Sequence, residues 1–230
     1  DKNFSCEPVC VAVQHDKKRV AFTLAEVLIT LVIIGVVAAV TIPTLVKNYE
    51  QKVTITKLKK MYSTVNQALQ LSVAENGEYS GWDDYAAIGI QNFFDKYLHP
   101  YFKNTVLCEN YRICPYKKHG FSAGAFYYLN GTESPVTAIA NGRITMLFPD
   151  GSIMIFFLSV ANASKVFIDV NGAGEPNTFG KDVFIFERNE NGNLIPFCHD
   201  KTDAQVQSSC SKSDTGECCA EKIMRDGWEF

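Results

Sequence analysis

From Val27 to Val46 the chain runs for twenty consecutive residues without a formal charge, and Glu26 stands immediately before that run. On a helix about 20 apolar residues rise ~30 Å, the thickness of a bilayer's hydrocarbon core, so a membrane span is the expected element. A cleaved secretory signal has a shorter apolar core of about 7 to 15 residues and ends in small residues, whereas this run passes into a polar helical pattern. Ile55, Leu58, Tyr62, Val65, Leu69 and Val73 follow at spacings of 3, 4, 3, 4 and 4, which lays one apolar stripe along a helix. The pattern predicts one helix over 22–76 that stops at Asn76-Gly77. At 1.5 Å per residue it is ~80 Å long, so only its second half, 47–76, is expected to pack on the rest of the chain. Pro43 removes an internal hydrogen bond, and a kink or local unwinding is expected there.

A short helix is expected over 91–99 (QNFFDKYLH), ended by Pro100. Beyond residue 121 the texture turns β-branched and aromatic. FYYL, ITMLF, SIMIFF, VFIDV and DVFIF read as strands, and Pro149-Asp150-Gly151 marks a tight hairpin between two of them. Short connections favour an antiparallel sheet. The expected fold is therefore α+β, a long N-terminal helix on an antiparallel β head formed by 77–230.

Glu26 is the position this pattern does not explain. An ionised carboxylate costs on the order of 3 kcal/mol at the bilayer centre, so such groups usually have a partner. Two readings follow. Either Glu26 lies near the membrane surface and snorkels, or it waits for a cation.

Charge and cysteines place the body. The 230 residues carry a net charge of -3, and the part after residue 21 has 18 basic and 22 acidic residues, or -4. A mildly acidic body argues against binding nucleic acid through bulk charge, and the Lys52 to Lys60 cluster reads as a solvated helix face. Lys17, Lys18 and Arg19 precede the span, but Lys47, Lys52, Lys57, Lys59 and Lys60 follow it, and counting them alone would put the body inside. Six of the eight cysteines (Cys108, Cys114, Cys198, Cys210, Cys218, Cys219) follow the span and argue instead for an oxidising compartment. Cys108 and Cys114 are the local disulfide candidates, while the C-terminal four tie the tail to the body with a connectivity that spacing does not settle. Zinc with His119 and His199 is the competing use of these cysteines, although no C-x-x-C pair is present.

The stretch KKRVAFTLAEVLITLVIIGVVAAVTIPTL resembles the N-terminal processing segment of type IV pilins and of the related pseudopilins of type II secretion. The likeness lies in a basic leader end, a small residue then Phe, a Glu at the fifth position of the mature chain, an unbroken apolar helix and a Pro near its exit. It implies a leader over 1–21, cut by a membrane-embedded prepilin peptidase between Ala21 and Phe22 on the cytoplasmic face, with methylation of the new amine. It also implies a filament-core helix over 22–46. Ala21 departs from the Gly most often found there, and the long leader carrying Cys6 and Cys10 is a second departure. Cleavage would create a positive amine on Phe22 about one helical turn from Glu26, and the amine of a neighbouring subunit could neutralise that carboxylate and set the stagger of a bundle. Phe22, Glu26 and Pro43 are the expected assembly residues, and Gly35, Ala38 and Ala39 would allow close helix approach. The implied partners are identical or related pilin subunits, the peptidase and an inner-membrane assembly machinery. The implied location is the bacterial inner membrane, with the head in the periplasm or outside, and then a filament. FPDGSIMIFF and FIDVNGAGEPNTFGKDVFIF also resemble bacterial pilin-like proteins.

The segment DVNGAGEPNTFGKD places Asp169, Asn171, Glu175, Asn177 and Asp182 within fourteen residues, among three glycines. Calcium takes six to eight oxygen ligands and favours such loops. Ala173 and Gly180 stand where an EF-hand needs ligands, so it is not one, but major pseudopilins carry a calcium-stabilised loop in this part of the fold. The alternative is a connection held by Asn-Gly turns and side-chain-to-backbone hydrogen bonds. Asn130-Gly131-Thr132 matches a glycosylation acceptor and reads more simply as a turn. No catalytic constellation appears, so a structural subunit of a pilus or pseudopilus is expected rather than an enzyme. Its rivals are a signal-anchored periplasmic ligand-binding domain that never polymerises, and a DNA-uptake pseudopilin.

Overall fold

The computed structural model describes residues 23–108, 118–119, 122–139, 143–158, 164–172 and 174–230. The chain divides after Lys47 into two compact units. Helix α1 runs from Leu24 to Asn76, and the left-handed Gly77 (φ 82°) ends it as expected. Pro43 lies inside α1, and the helix continues unbroken through it. The expected unwinding is therefore absent. A proline leaves one carbonyl without its partner, and the hydrogen bonds on either side carry the helix across the gap.

In the second unit α1 buries Leu58, Met61, Val65, Ala68, Leu69 and Ser72. Helix α2 (Tyr85–Ile88) and helix α3 (Ile90–Tyr97) follow. Helix α3 ends at Tyr97, short of the expected residue 99, and Pro100 sits within a further 3₁₀ turn, His99–Tyr101, because proline suits the first positions of a helical turn. The α1–α3 connection is held by aromatic stacking. Trp82 lies 4.4 Å from Tyr97 at an interplanar angle of 8°, its indole N–H donates to Gly77 O at 2.9 Å, and Ser72 Oγ donates to Tyr97 O.

Two sheets follow. The first comprises β1 (Val106–Leu107), β5 (Arg143–Leu147), β6 (Ile153–Leu158), β7 (Ser164–Asp169), β9 (Val183–Arg188) and β10 (Leu194–Pro196), antiparallel and in that order. The second contains β2 (Lys118–His119), β3 (Ser122–Tyr127) and β4 (Glu133–Ile139), with β8 (Asn177–Thr178) parallel to β3. The predicted strands match β5, β6, β7 and β9 within a residue or two, but FYYL falls across the end of β3, and its Tyr128-Leu129 belong to the following turn. The Pro149-Asp150-Gly151 hairpin forms as expected, with Gly151 N donating to Phe148 O at 3.0 Å and Gly151 at φ 82°.

Alternation along these strands feeds two cores. Met154, Phe156, Val166, Ile168, Phe184 and Phe186 face Leu58, Met61 and Val65 of α1. Ile153, Ile155, Phe167, Val183 and Ile185 point to the other side, where Phe126, Ala138 and Phe179 cover them. A strand buried on both faces reads as a continuous apolar run, as in IMIFF and VFIF. The second sheet accounts for the covered outer face, and β4, which carries Pro135, and the short β2 and β8 lacked a legible strand signal.

The tail is knotted. Cys198 bridges Cys218 and Cys210 bridges Cys219, around helices α4 (Asp203–Ser209) and α5 (Cys219–Arg225). The strap between the helices continues the end of β3, where Leu129 N donates to Thr215 O at 2.9 Å and Asn130 N to Asp214 O at 3.0 Å. Gly180 and Gly216 lie where it crosses the 178–182 turn. A Cβ on Gly180 would meet Cys219 Sγ at 2.4 Å, and one on Gly216 would meet Phe179 O at 2.4 Å. The four cysteines are thus disulfides and not zinc thiolates. Cys108 is also disulfide-bonded, to a residue outside those described. Asn130-Gly131-Thr132 is a turn before β4, with Asn130 Oδ1 accepting from Thr132 N at 2.9 Å.

Candidate functional site

Helix α1 begins at Leu24, which makes Thr23 its N-cap and Glu26 its third residue. Thr23 N–H and Thr23 Oγ1–H both donate to Glu26 Oε2 at 2.8 Å, and Glu26 N–H donates to Thr23 Oγ1 at 3.3 Å. This is a capping box, which satisfies backbone donors that a helix N-terminus otherwise leaves open. Its sequence signal is Thr-Leu-Ala-Glu directly before an apolar run. Sequence reasoning passed over it by weighing Glu26 only as a charge in a membrane. Among the described residues, Glu26 Oε1 accepts no hydrogen bond, so the carboxylate keeps one oxygen for a further partner. Ala21 and Phe22 lie outside the described residues.

Beyond the box, α1 carries an 18-residue window of mean hydropathy 2.6, apolar and long enough to cross a membrane, and none of it is buried within the chain. Val32, Ile33, Ile34, Val36, Val37 and Val40 are all more than half exposed, and such continuous apolar exposure marks a surface made for lipid or for protein. Among the described residues up to Lys47, the chain thus presents a capped helix, one carboxylate and an uncovered apolar surface.

The 169–182 loop brings four of its five predicted residues together and leaves Glu175 exposed. Asp169, Asn177 and Asp182 are buried. Asn171 N–H donates to Asp169 Oδ1 at 3.2 Å, and the Asn171 amide donates to Asp182 Oδ2 and Gly174 O, each at 3.0 Å. Thr178 N–H donates to Asp182 Oδ1 at 2.5 Å. Asn177 sets its amide oxygen against Gly172 O and Gly174 O; turned over, its nitrogen would donate to both at 3.0 Å. Burial pushes the Asp182 carboxyl up to about 6 against the pull of these donors. An amide oxygen against two carbonyls suits a bound cation, whereas the nitrogen there would close the loop by hydrogen bonds. Among the described residues no three His, Cys, Asp or Glu side chains converge to hold a metal. The loop thus fits closure by hydrogen bonds with the Asn177 nitrogen inward, and a cation with its oxygen inward.

The Lys52 to Lys60 cluster also divides. Lys57 Nζ donates to Val170 O at 3.1 Å and Lys60 Nζ pairs with Asp150 at 2.7 Å, so two of its lysines fasten α1 to the loops at one end of the sheet.

Residues 17–42 match the prokaryotic N-terminal methylation motif. With the apolar N-terminal helix and the antiparallel sheet behind it, this match defines a type IV pilin-like precursor. Residues 44–230, most of the chain, match the model of a family of unknown function (DUF6613), and the chain belongs to that family. No curated protein and no solved structure matches it.

Proposed function

We propose that the chain is a structural subunit of a bacterial type IV pilus or type II secretion pseudopilus. A prepilin peptidase cuts it before Phe22, and it assembles through the first half of α1. The observation that carries this reading is the uncovered apolar stretch of α1 headed by Glu26, within a methylation motif. The precursor sits in the inner membrane with its head in the periplasm or outside, and the apolar surface exchanges lipid for neighbouring helices as the subunit enters the filament. The Phe22 amine of one subunit meets the Glu26 carboxylate of the next, and the pairing sets the stagger. No catalytic role is assigned.

Glu26→Gln tests the reading without removing the helix cap, since Gln serves at the third position of a capping box as Glu does. The variant is expected to insert and be processed yet be missing from sheared filaments. If it assembled normally, the assembly role assigned to the carboxylate would be wrong and Glu26 would only cap the helix.

A further inference from the structure

A groove of about 920 Å³ runs beside α1 in the second unit, between Tyr62, Gln67 and Gln70 of the helix, the turn from Asn189 to Asn193, and Trp228 near the C-terminus. Its size lies within the range of small-ligand sites. Its chemistry sets it apart from the surrounding surface. Its lining combines aromatic rings, with Tyr62 and Trp228 centroids 5.4 Å apart, and side-chain amides. Among the described residues, Lys59 is the one charged residue that lines it, and its Nζ lies 5.7 Å from the Trp228 centroid.

The amides are fixed in place but not used up. Gln70 Nε2 donates to Asn193 Oδ1, and Asn189 Oδ1 accepts from Asn191 N at 3.1 Å and from Asn193 N at 2.9 Å. Asn66 is tied to the backbone on both sides, through Leu194 N at 2.9 Å and Tyr62 O at 3.2 Å. Among the described residues, Gln70 Oε1, Asn193 Nδ2 and Asn189 Nδ2 have no hydrogen-bond partner. An acceptor and two donors are thus displayed side by side without charge, next to aromatic rings.

We propose that this groove binds a neutral, polyhydroxylated ligand, a saccharide. A vicinal diol both donates and accepts, as the Gln70 and Asn193 amides require, and the C–H face of a sugar ring suits the negative face of an aromatic ring. An anionic ligand would meet a single lysine, and a purely apolar one would bury amide groups without partners. The proposal is independent of filament assembly.

Trp228 supplies the readout, because the only other tryptophan, Trp82, is buried. The full chain, held in a detergent without sugar headgroups, is titrated with chitotriose, maltotriose and mannotriose while tryptophan emission is followed. At least one saccharide is expected to shift the emission saturably, with half-saturation on the order of 1 mM. Gln70→Ala, an exposed change, should weaken it at least tenfold with unchanged melting, and Trp228→Phe should abolish the shift. If no saccharide shifts the emission, or Gln70→Ala binds as the wild type does, the proposal is wrong. A shift that follows protein concentration instead of sugar would assign the groove to a second copy of the chain and equally overturn it.

Discussion

Lys60 of α1 reaches Asp150, in the hairpin turn between β5 and β6, at 2.7 Å, and Ser152 Oγ and N–H donate to the same carboxylate at 2.5 and 3.1 Å. With Lys57, which donates to Val170 O, this lysine joins helix and sheet in addition to their shared core. Partial burial would raise the Asp150 carboxyl, but Lys60 and Ser152 outweigh it and bring it down from 3.8 to about 2. A depressed carboxyl contributes stability that is complete above about pH 4 and lost as pH falls through about 2. After discounting for solvent screening, the contribution is about 1 kcal/mol. Urea unfolding between pH 5 and 2 should show this acid loss, and Lys60→Met should flatten it.

Thr23→Ala separates the cap from the charge at the start of α1. It keeps Glu26 ionisable and removes the two hydrogen bonds of the Thr23 hydroxyl while leaving Thr23 N–H on Glu26, a change that costs about 1 kcal/mol of helix stability at an N-cap. Amide exchange in the first turn should accelerate, while filaments still form. Glu26→Gln should show the opposite pattern, protected amides and no filaments.

The C-terminal knot makes a prediction about stability. Cys210–Cys219 and Cys198–Cys218 close sequence separations of 9 and 20 residues, and in the chain-entropy model each contributes roughly 3 kcal/mol. Replacing either pair by serine should lower the melting temperature, slightly more for the longer loop.

Gly216→Ala should be as damaging as loss of a disulfide. Gly216 has φ 80°, and an added Cβ would lie 2.4 Å from Phe179 O and 2.9 Å from Leu129 Cβ. Backbone cannot yield as a side-chain tip does, so a loss of about 2 kcal/mol or more is expected in denaturant titration. Gly131 also has a positive φ, 87°, but its Cβ would meet nothing, and Gly131→Ala should cost less.

Calcium reports the orientation of Asn177. If the nitrogen turns inward the amide satisfies Gly172 O and Gly174 O, and millimolar calcium should then leave the melting temperature unchanged. A ligand at a hundredfold excess over its Kd stabilises by about 2.7 kcal/mol, so a bound ion would be plain in the melting curve. Such a rise would mean that the Asn177 oxygen faces a metal.

Much of this architecture was legible in the chain. The 3-4 stripe from Ile55 to Val73 placed the packed half of α1, and the aromatic and β-branched runs placed β5, β6, β7 and β9. What hid the second sheet was its composition: β4 contains Pro135, and β2 and β8 have two residues each, too short for a periodicity. The two-faced burial of IMIFF was written in its lack of alternation, a signal that needs a covering layer before it can be interpreted. Disulfide connectivity was unreadable because four cysteines permit three pairings. The processing motif was plain in sequence, whereas the capping role of Glu26 lay in the same four letters, Thr-Leu-Ala-Glu, and was masked by the cost of its charge. The groove beside Trp228 could not be foreseen, since it joins α1 to residues more than a hundred positions away.

The central claim is that the chain is cut before Phe22 and built into a filament. Mass spectrometry of the subunit recovered from sheared surface filaments of the bacterium tests it most directly. The account predicts an N-terminal peptide that begins at Phe22 and carries one methyl group. A chain that keeps residues before Phe22, or that stays wholly in the membrane fraction while filaments form without it, would contradict the account.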